Sequence, residues 1–112
     1  MKLWVDDVRP APKGFIAVRS VNEAKLVIEA FEFTYRMLEE LHAADTDDFK
    51  IELISIDHDA GDFAHDGGDY IRVLDWLEET GRNYPIHIHS MNPVGVENMR
   101  RIIQKNGWKE VK

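Results

Sequence analysis

Short apolar runs alternate along this chain with longer stretches in which apolar residues return every three or four positions. Lys2 to Val5 is a brief apolar run that ends in Asp6-Asp7. Pro10 and Pro12 then forbid an immediate helix and dictate an extended loop. Phe15 to Val18 is a second apolar run. From Ser20 the period changes: Ala24, Val27, Ile28, Phe31, Tyr35 and Leu38 form one stripe, which predicts a helix ending near Leu41 or His42. Ser20 and Glu23 fit a capping box at its start. Ile51 to Ile56 reads as a third strand covered on both faces. Gly61, Gly67 and Gly68 mark a loop, after which Asp69 is a candidate cap for a helix through Ile71, Val73, Leu74, Trp76 and Leu77, with Gly81 as its stop. Ile86 to Ser90 is the fourth strand. Asn92 and Pro93 look like an N-cap and first helical residue, and Gly107 ends that helix. Trp108 to Val111 fits either a last short strand or a packed tail.

The order β-β-α-β-α-β-α predicts an α/β domain: a receiver- or flavodoxin-like three-layer sandwich on a mostly parallel sheet of four or five strands. No helical pattern separates the first two strands. The first crossover helix is therefore lost or shortened, and either the loop from Val8 to Gly14 makes the crossing or the second strand runs antiparallel. With 112 residues, 1–112 reads as a single domain, and 44 % hydrophobic content suffices for a core.

The chain has no cysteine, which excludes disulfides, thiol nucleophiles and thiolate metal sites. No signal-peptide or membrane-spanning pattern is present, so a cytoplasmic location without membrane contact is the expectation. The formal charge of −7 argues against binding long DNA. Between Glu39 and Asp69 eleven acids face only Lys50, whereas the last helix and tail are basic.

In a flavodoxin-like order, strands 1 and 3 are neighbours. Asp6 and Asp7 then meet Asp57, His58 and Asp59 at one sheet edge, with His89 and Ser90 arriving beside them. Several carboxylates cannot share a small space fully ionised without a cation. Asp6, Asp7, Asp57 and Asp59 are thus candidate ligands for Mg²⁺ or Mn²⁺. His58 and His89 are candidates for general acid or base, and His87 reads as a deeper, satisfied core histidine. Arg9, Ser90 and the N-terminus of the last helix are candidates for binding phosphate, and Asn92 either caps that helix alone or also touches substrate. His65 and Asp66 read as solvated, and the glycine loop as a lid with no required chemistry. Metal, anion site and imidazole together suggest phosphoryl or phosphodiester chemistry.

Asp6-Asp7, Asp57 and Ser90, each after a strand, resemble the site of response-regulator receiver domains. That resemblance implies Mg²⁺ on the acids, phosphorylation of Asp57 and phosphoryl binding by Ser90. His58-Asp59-Ala60-Gly61 stands where ordinary receivers carry a Met-Pro turn, and their strand-five lysine before proline has no match. A nearer resemblance is to the cyclic-phosphate processing receiver domains, carried by Asp6-Asp7-Val8-Arg9-Pro10, Asp57-His58-Asp59, His89-Ser90-Met91-Asn92-Pro93 and Glu97-Asn98-Met99. It implies action on cyclic phosphate ends of RNA or nucleotides, in RNA repair or nucleotide conflict systems. Asp57, His58 and His89 would then be catalytic, and the substrate a nucleotide or RNA terminus. A receiver-like phospho-acceptor or a non-catalytic binding module is the alternative.

Overall fold

The computed structural model describes all residues from Met1 to Lys112. Four strands, β1 (Lys2–Val5), β2 (Phe15–Val18), β3 (Leu53–Ile56) and β4 (Ile86–Ile88), form one sheet in the order β2-β1-β3-β4. Every pairing is parallel. The second strand is therefore parallel to the first, and the loop between them crosses over without a helix. Three helices follow: α1 (Val21–Glu40), α2 (Ile71–Glu79) and α3 (Pro93–Asn106). This is the receiver-like α/β architecture that the pattern predicts.

Register explains the layering. Leu3 pairs with Ile16 and Ile54, and Ile54 with Ile86; one step further, Val5 pairs with Val18 and Ile56. Because side chains alternate, these residues point to one face. There all of them except Ile16, which is 39 % exposed on the edge strand, join Ala24 and Ile28 of α1, Val73, Leu74 and Leu77 of α2, and Met99 and Ile103 of α3 in a single core. All three helices cover this face, so the sheet carries one helical layer instead of the two of a three-layer sandwich. The opposite face carries Trp4, Phe15, Ser55 and His87. The lost first crossover helix leaves it to loop and tail instead: the Trp4 indole N–H donates to the Arg9 carbonyl, and His87 Nδ1 lies 2.8 Å from the Val111 carbonyl. The tail reaches β4 through a parallel bridge between Ile86 and Glu110, a vestige of a fifth strand.

The helix ends follow local chemistry. Ser20 Oγ accepts from the Glu23 N–H, but the Glu23 carboxylate reaches back to the N–H of Arg19 rather than Ser20. Asn92 caps α3 through the Gly95 N–H, and Gly107 closes it at φ +68°. Asp69 does not cap α2; its carboxylate accepts from the Ala60 N–H instead and braces the glycine loop.

At the far pole from the strand carboxyl ends, Arg82 forks onto Glu32 with nitrogen–oxygen distances of 2.8–3.1 Å. Tyr84 donates its hydroxyl to the same carboxylate. Burial pushes the Glu32 carboxyl up, but the bonds from Arg82 and Tyr84 outweigh it and hold it below its usual 4.5. A carboxyl depressed on folding stabilises above its unfolded pKa, and that contribution fades as pH falls through the folded value. Glu32→Gln should therefore cost about 1–2 kcal/mol at pH 7. Thermal melts from pH 7 to pH 3 should lose stability less steeply in the variant than in the wild type, with the two curves converging below pH 4.5. Parallel curves would mean that the fork contributes nothing.

Candidate active site

The parallel ladder continues one residue past the strands. Asp6 N–H donates to the Val18 carbonyl, Asp57 N–H to Val5, and His89 N–H to Ile56. Asp6, Asp57 and His89 therefore stand abreast at the carboxyl edge, on the face away from the main core. Asp6 ends β1 by folding the chain over itself: its Oδ1 accepts from the N–H groups of Val8 and Arg9 at 3.0 and 2.9 Å. That turn throws Asp7 outward beside the first acid. Oxygens of Asp6, Asp7 and Asp57 all lie within 4.8 Å of one another.

The three acids do not share one environment. Asp6 is fully buried. Burial would raise its pKa, but the N–H groups of Arg9 and Val8 and the His89 ring outweigh that, so the carboxylate stays ionised. Asp7 moves the other way, pushed up by burial and by the neighbouring charges of Asp6 and Asp57. A cation among the three would relieve that strain, so the donor set fits a hard divalent ion with oxygen ligands. Asp59, the fourth expected ligand, lies outside this cluster. Its side chain is 60 % exposed and its Oδ1 sits 2.8 Å from His58 Nδ1.

The two catalytic histidine candidates separate. His89 is clamped at both ring nitrogens: Nε2 is 2.9 Å from Asp6 Oδ2, and Nδ1 is 2.8 Å from Ser55 Oγ. Its ring stacks flat on Trp4, with centroids 3.8 Å apart. Burial keeps it neutral against the pull of Asp6. An ionised Asp6 only accepts, so Nε2 carries the proton and Nδ1 accepts from Ser55. With no free nitrogen, His89 positions Asp6; it is not placed to exchange a proton with a substrate. It is also the more firmly held of the strand's two histidines, whereas His87 is a half-buried residue held by the tail. The side chain of His58 is 15 % exposed, with Nδ1 tied to Asp59 and Nε2 free. Asp59 is itself lowered by that bond, so it fixes the ring as an acidic partner fixes a general base.

Two glycines make this packing possible. A Cβ on Gly95 would stand 2.4 Å from His58 Cγ, so only the bare backbone of the first turn of α3 lets the imidazole lie there. A Cβ on Gly61 would stand 2.4 Å from Asp7 Oδ2, at φ +53°. The glycine loop therefore does border the acids, although sequence reasoning gave it no required chemistry. Asp66, expected to be solvated, ties the loop to the start of α1 through Ser20 Oγ at 2.6 Å and Asn22 Nδ2 at 2.9 Å. His65 remains exposed, near the Asp62 carbonyl.

Cationic groups frame the edge. Arg9 spans from the β1 end to the His89 carbonyl, donating at 2.8 Å, and has no carboxylate partner. Arg19, which sequence reasoning missed, donates to the carbonyls of Asp6 and Asp7 at 3.3 and 3.1 Å and also lacks an acid partner. Ser90 Oγ accepts from the Asn92 N–H and keeps its own proton to donate. Asn92 is committed: its Oδ1 caps α3 and its Nδ2 faces both Asp59 oxygens at 3.4 Å. The start of α3 has little left for an anion, because Pro93 has no N–H and that of Gly95 is taken by Asn92.

An all-parallel sheet with an acid triad at its carboxyl edge defines a receiver-like domain. The sequence model of the cyclic-phosphate processing receiver domain matches residues 1–105, and the chain belongs to that family. No curated protein and no solved structure matches it. No helix is long and apolar enough to cross a membrane.

Proposed function

We propose that this domain is a metal-dependent phosphoesterase that opens a cyclic phosphate on a nucleotide or an RNA end. The observation carrying this reading is the convergence of Asp6, Asp7 and Asp57 within 4.8 Å; His58, the residue after Asp57, keeps its second ring nitrogen free. Asp6, Asp7 and Asp57 would hold Mg²⁺ or Mn²⁺, which when bound would neutralise and polarise the phosphoryl oxygens. Arg9, Arg19 and Ser90 would bind the non-bridging oxygens. Asp59 holds the Nδ1 proton of His58, so Nε2 can take a proton from an attacking water. The water oxygen bonds to phosphorus as one ribose–oxygen bond to phosphorus breaks. The leaving ribose oxygen takes a proton from solvent and His58 returns the one it took, so the product is a monoester with a free ribose hydroxyl. The acidic surface suits a small nucleotide or a strand terminus better than a long polyanion.

The test is turnover of 2′,3′-cyclic nucleotides by the purified protein with Mn²⁺ or Mg²⁺. Turnover should be lost in Asp57→Asn and fall by about a hundredfold or more in His58→Ala. Its absence in the wild type with either metal would overturn the reading. A second reading rests on Asp57, whose Oδ1 accepts the His58 N–H at 2.8 Å and whose position matches a phospho-acceptor. Treatment with a small phosphodonor followed by intact mass distinguishes it: a stable single-phosphate adduct, absent in Asp57→Asn, favours a phospho-switch over hydrolysis.

A further inference from the structure

The outer face of α1 is apolar where a solvated helix would be polar. Leu26, Phe33 and Met37 on it, and Leu41 at its end, are exposed by 68, 58, 44 and 70 %. With Ala30 they recur at steps of four, three, four and four residues, so they form one continuous stripe. It lies opposite the core stripe of Ala24, Ile28 and Phe31. A cleft of about 440 Å³ runs against it, lined by Leu26, Glu29, Ala30, Glu32, Phe33 and Arg36 of α1 and by Arg82. Exposed apolar side chains scattered singly need no explanation, but a stripe along a 20-residue helix does.

The flank of the stripe identifies the occupant. Lys25, Glu29, Arg36 and Glu40 all project to the same side of it at helical spacing. None has an ion-pair partner within the chain, although Glu32 between them does. Two such helices packed antiparallel about the midpoint between Glu32 and Phe33 set Lys25 against Glu40 and Glu29 against Arg36. The twofold axis repeats both pairs, giving four complementary contacts. A parallel pair would set this flank against the other side of the stripe, where Glu23 and Thr34 offer no cation.

The same midpoint also interlocks the apolar residues. At about 1.5 Å of rise per residue, side chains from the two helices alternate at roughly 3 Å steps. Leu26 of one falls between Leu41 and Met37 of the other, and Ala30 falls between Met37 and Phe33. The two Phe33 rings meet at the axis, beside the clefts over Ala30. Charge and shape are thus satisfied by one arrangement, which the sequence of α1 alone dictates.

We propose that this domain forms a twofold homodimer through antiparallel pairing of α1. The contact is isologous, so it closes at two copies. A single helix pair is smaller than the roughly 800 Å² per partner of a standard interface, so the dimer is reversible and assembles in the micromolar range. It depends on no residue at the carboxylate edge and stands apart from the proposed chemistry.

Sedimentation velocity of the full chain across concentrations of about 1–200 µM tests it. The wild type should shift from monomer to dimer. Glu29→Arg alone, and Arg36→Glu alone, should each weaken the dimer at least tenfold, because each sets like charges across the axis at both ends. An equimolar mixture of the two variants should restore it, since each then faces its complement. Phe33→Ser should abolish it. All three positions are on the exposed side of the helix, and matching thermal melts would establish that each variant is folded. A wild type that stays monomeric over this range overturns the proposal. So do a dimer that ignores the single charge reversals and a mixture that does not recover.

Discussion

His89→Phe is expected to destabilise the protein by about 3 kcal/mol, because it removes both ring nitrogens while keeping the ring that stacks on Trp4. The loss falls on what remains. Asp6 is fully buried, and its Oδ2 would lose its only side-chain donor. Ser55 is equally buried, and its hydroxyl would lose its acceptor. A buried carboxylate left short of a donor costs more than a neutral group does, so Asp6 should carry most of the loss. For a domain of this size the melting temperature should drop by roughly 15 °C in differential scanning calorimetry. Stacking is preserved, so the drop reports the hydrogen bonds and not the aromatic packing. A catalytic histidine in direct contact with substrate would behave differently, losing turnover with little change in melting. An unchanged melt would therefore overturn the assignment of His89 as the residue that positions Asp6.

Gly95→Ala is expected to lower turnover of a cyclic nucleotide by about a hundredfold, the scale of a misplaced general base. Elsewhere in an exposed helix this substitution stabilises by roughly 1 kcal/mol. Here the new methyl would lie 2.4 Å from His58 Cγ, 2.5 Å from Cδ2 and 2.8 Å from Nδ1. The ring must leave, and with it go the bond to Asp59 and the direction of Nε2. The acid triad is not part of that contact, so Mn²⁺ affinity should stay within about twofold, a difference of less than 0.5 kcal/mol. Steady-state kinetics and metal titration on the same preparation separate the two effects. Full activity in Gly95→Ala would show that the position of His58 does not matter to the reaction.

These two residues mark where the sequence was readable and where it was not. The strands, the helix stripes and the convergence of Asp6 with Asp57 follow from periodicity and strand order, which need only local pattern and one topological rule. The caps at Ser20 and Asn92 were equally plain, because side-chain identity at a helix start determines the bond it can make. Hydrogen-bond allocation was not legible. Asp69 had the right type and place for a cap, but the Ala60 N–H claimed its carboxylate. Asp59 had the right type for a ligand, yet its neighbour His58 claimed it. His89 looked free because its partners, Ser55 and Asp6, come from other strands. Gly95 carried a usable signal: a glycine in the first turn of a helix lowers helix propensity, and such a cost points to a close neighbour. Arg19 carried none, since an arginine before a helix is ordinary and only the tertiary fold brings it over the carbonyls of Asp6 and Asp7.

The central claim is that Asp6, Asp7 and Asp57 act together on a divalent ion. Titration of Mn²⁺ into the metal-free protein, followed by loss of the free-ion paramagnetic resonance signal, tests it without reference to turnover. One ion should bind per chain, and Asp7→Asn and Asp57→Asn should each weaken binding by more than tenfold, about 1.4 kcal/mol. Asp59→Asn should leave it unchanged, because that carboxylate serves His58. Absence of a bound ion in the wild type, or equal binding by all four proteins, would contradict the account.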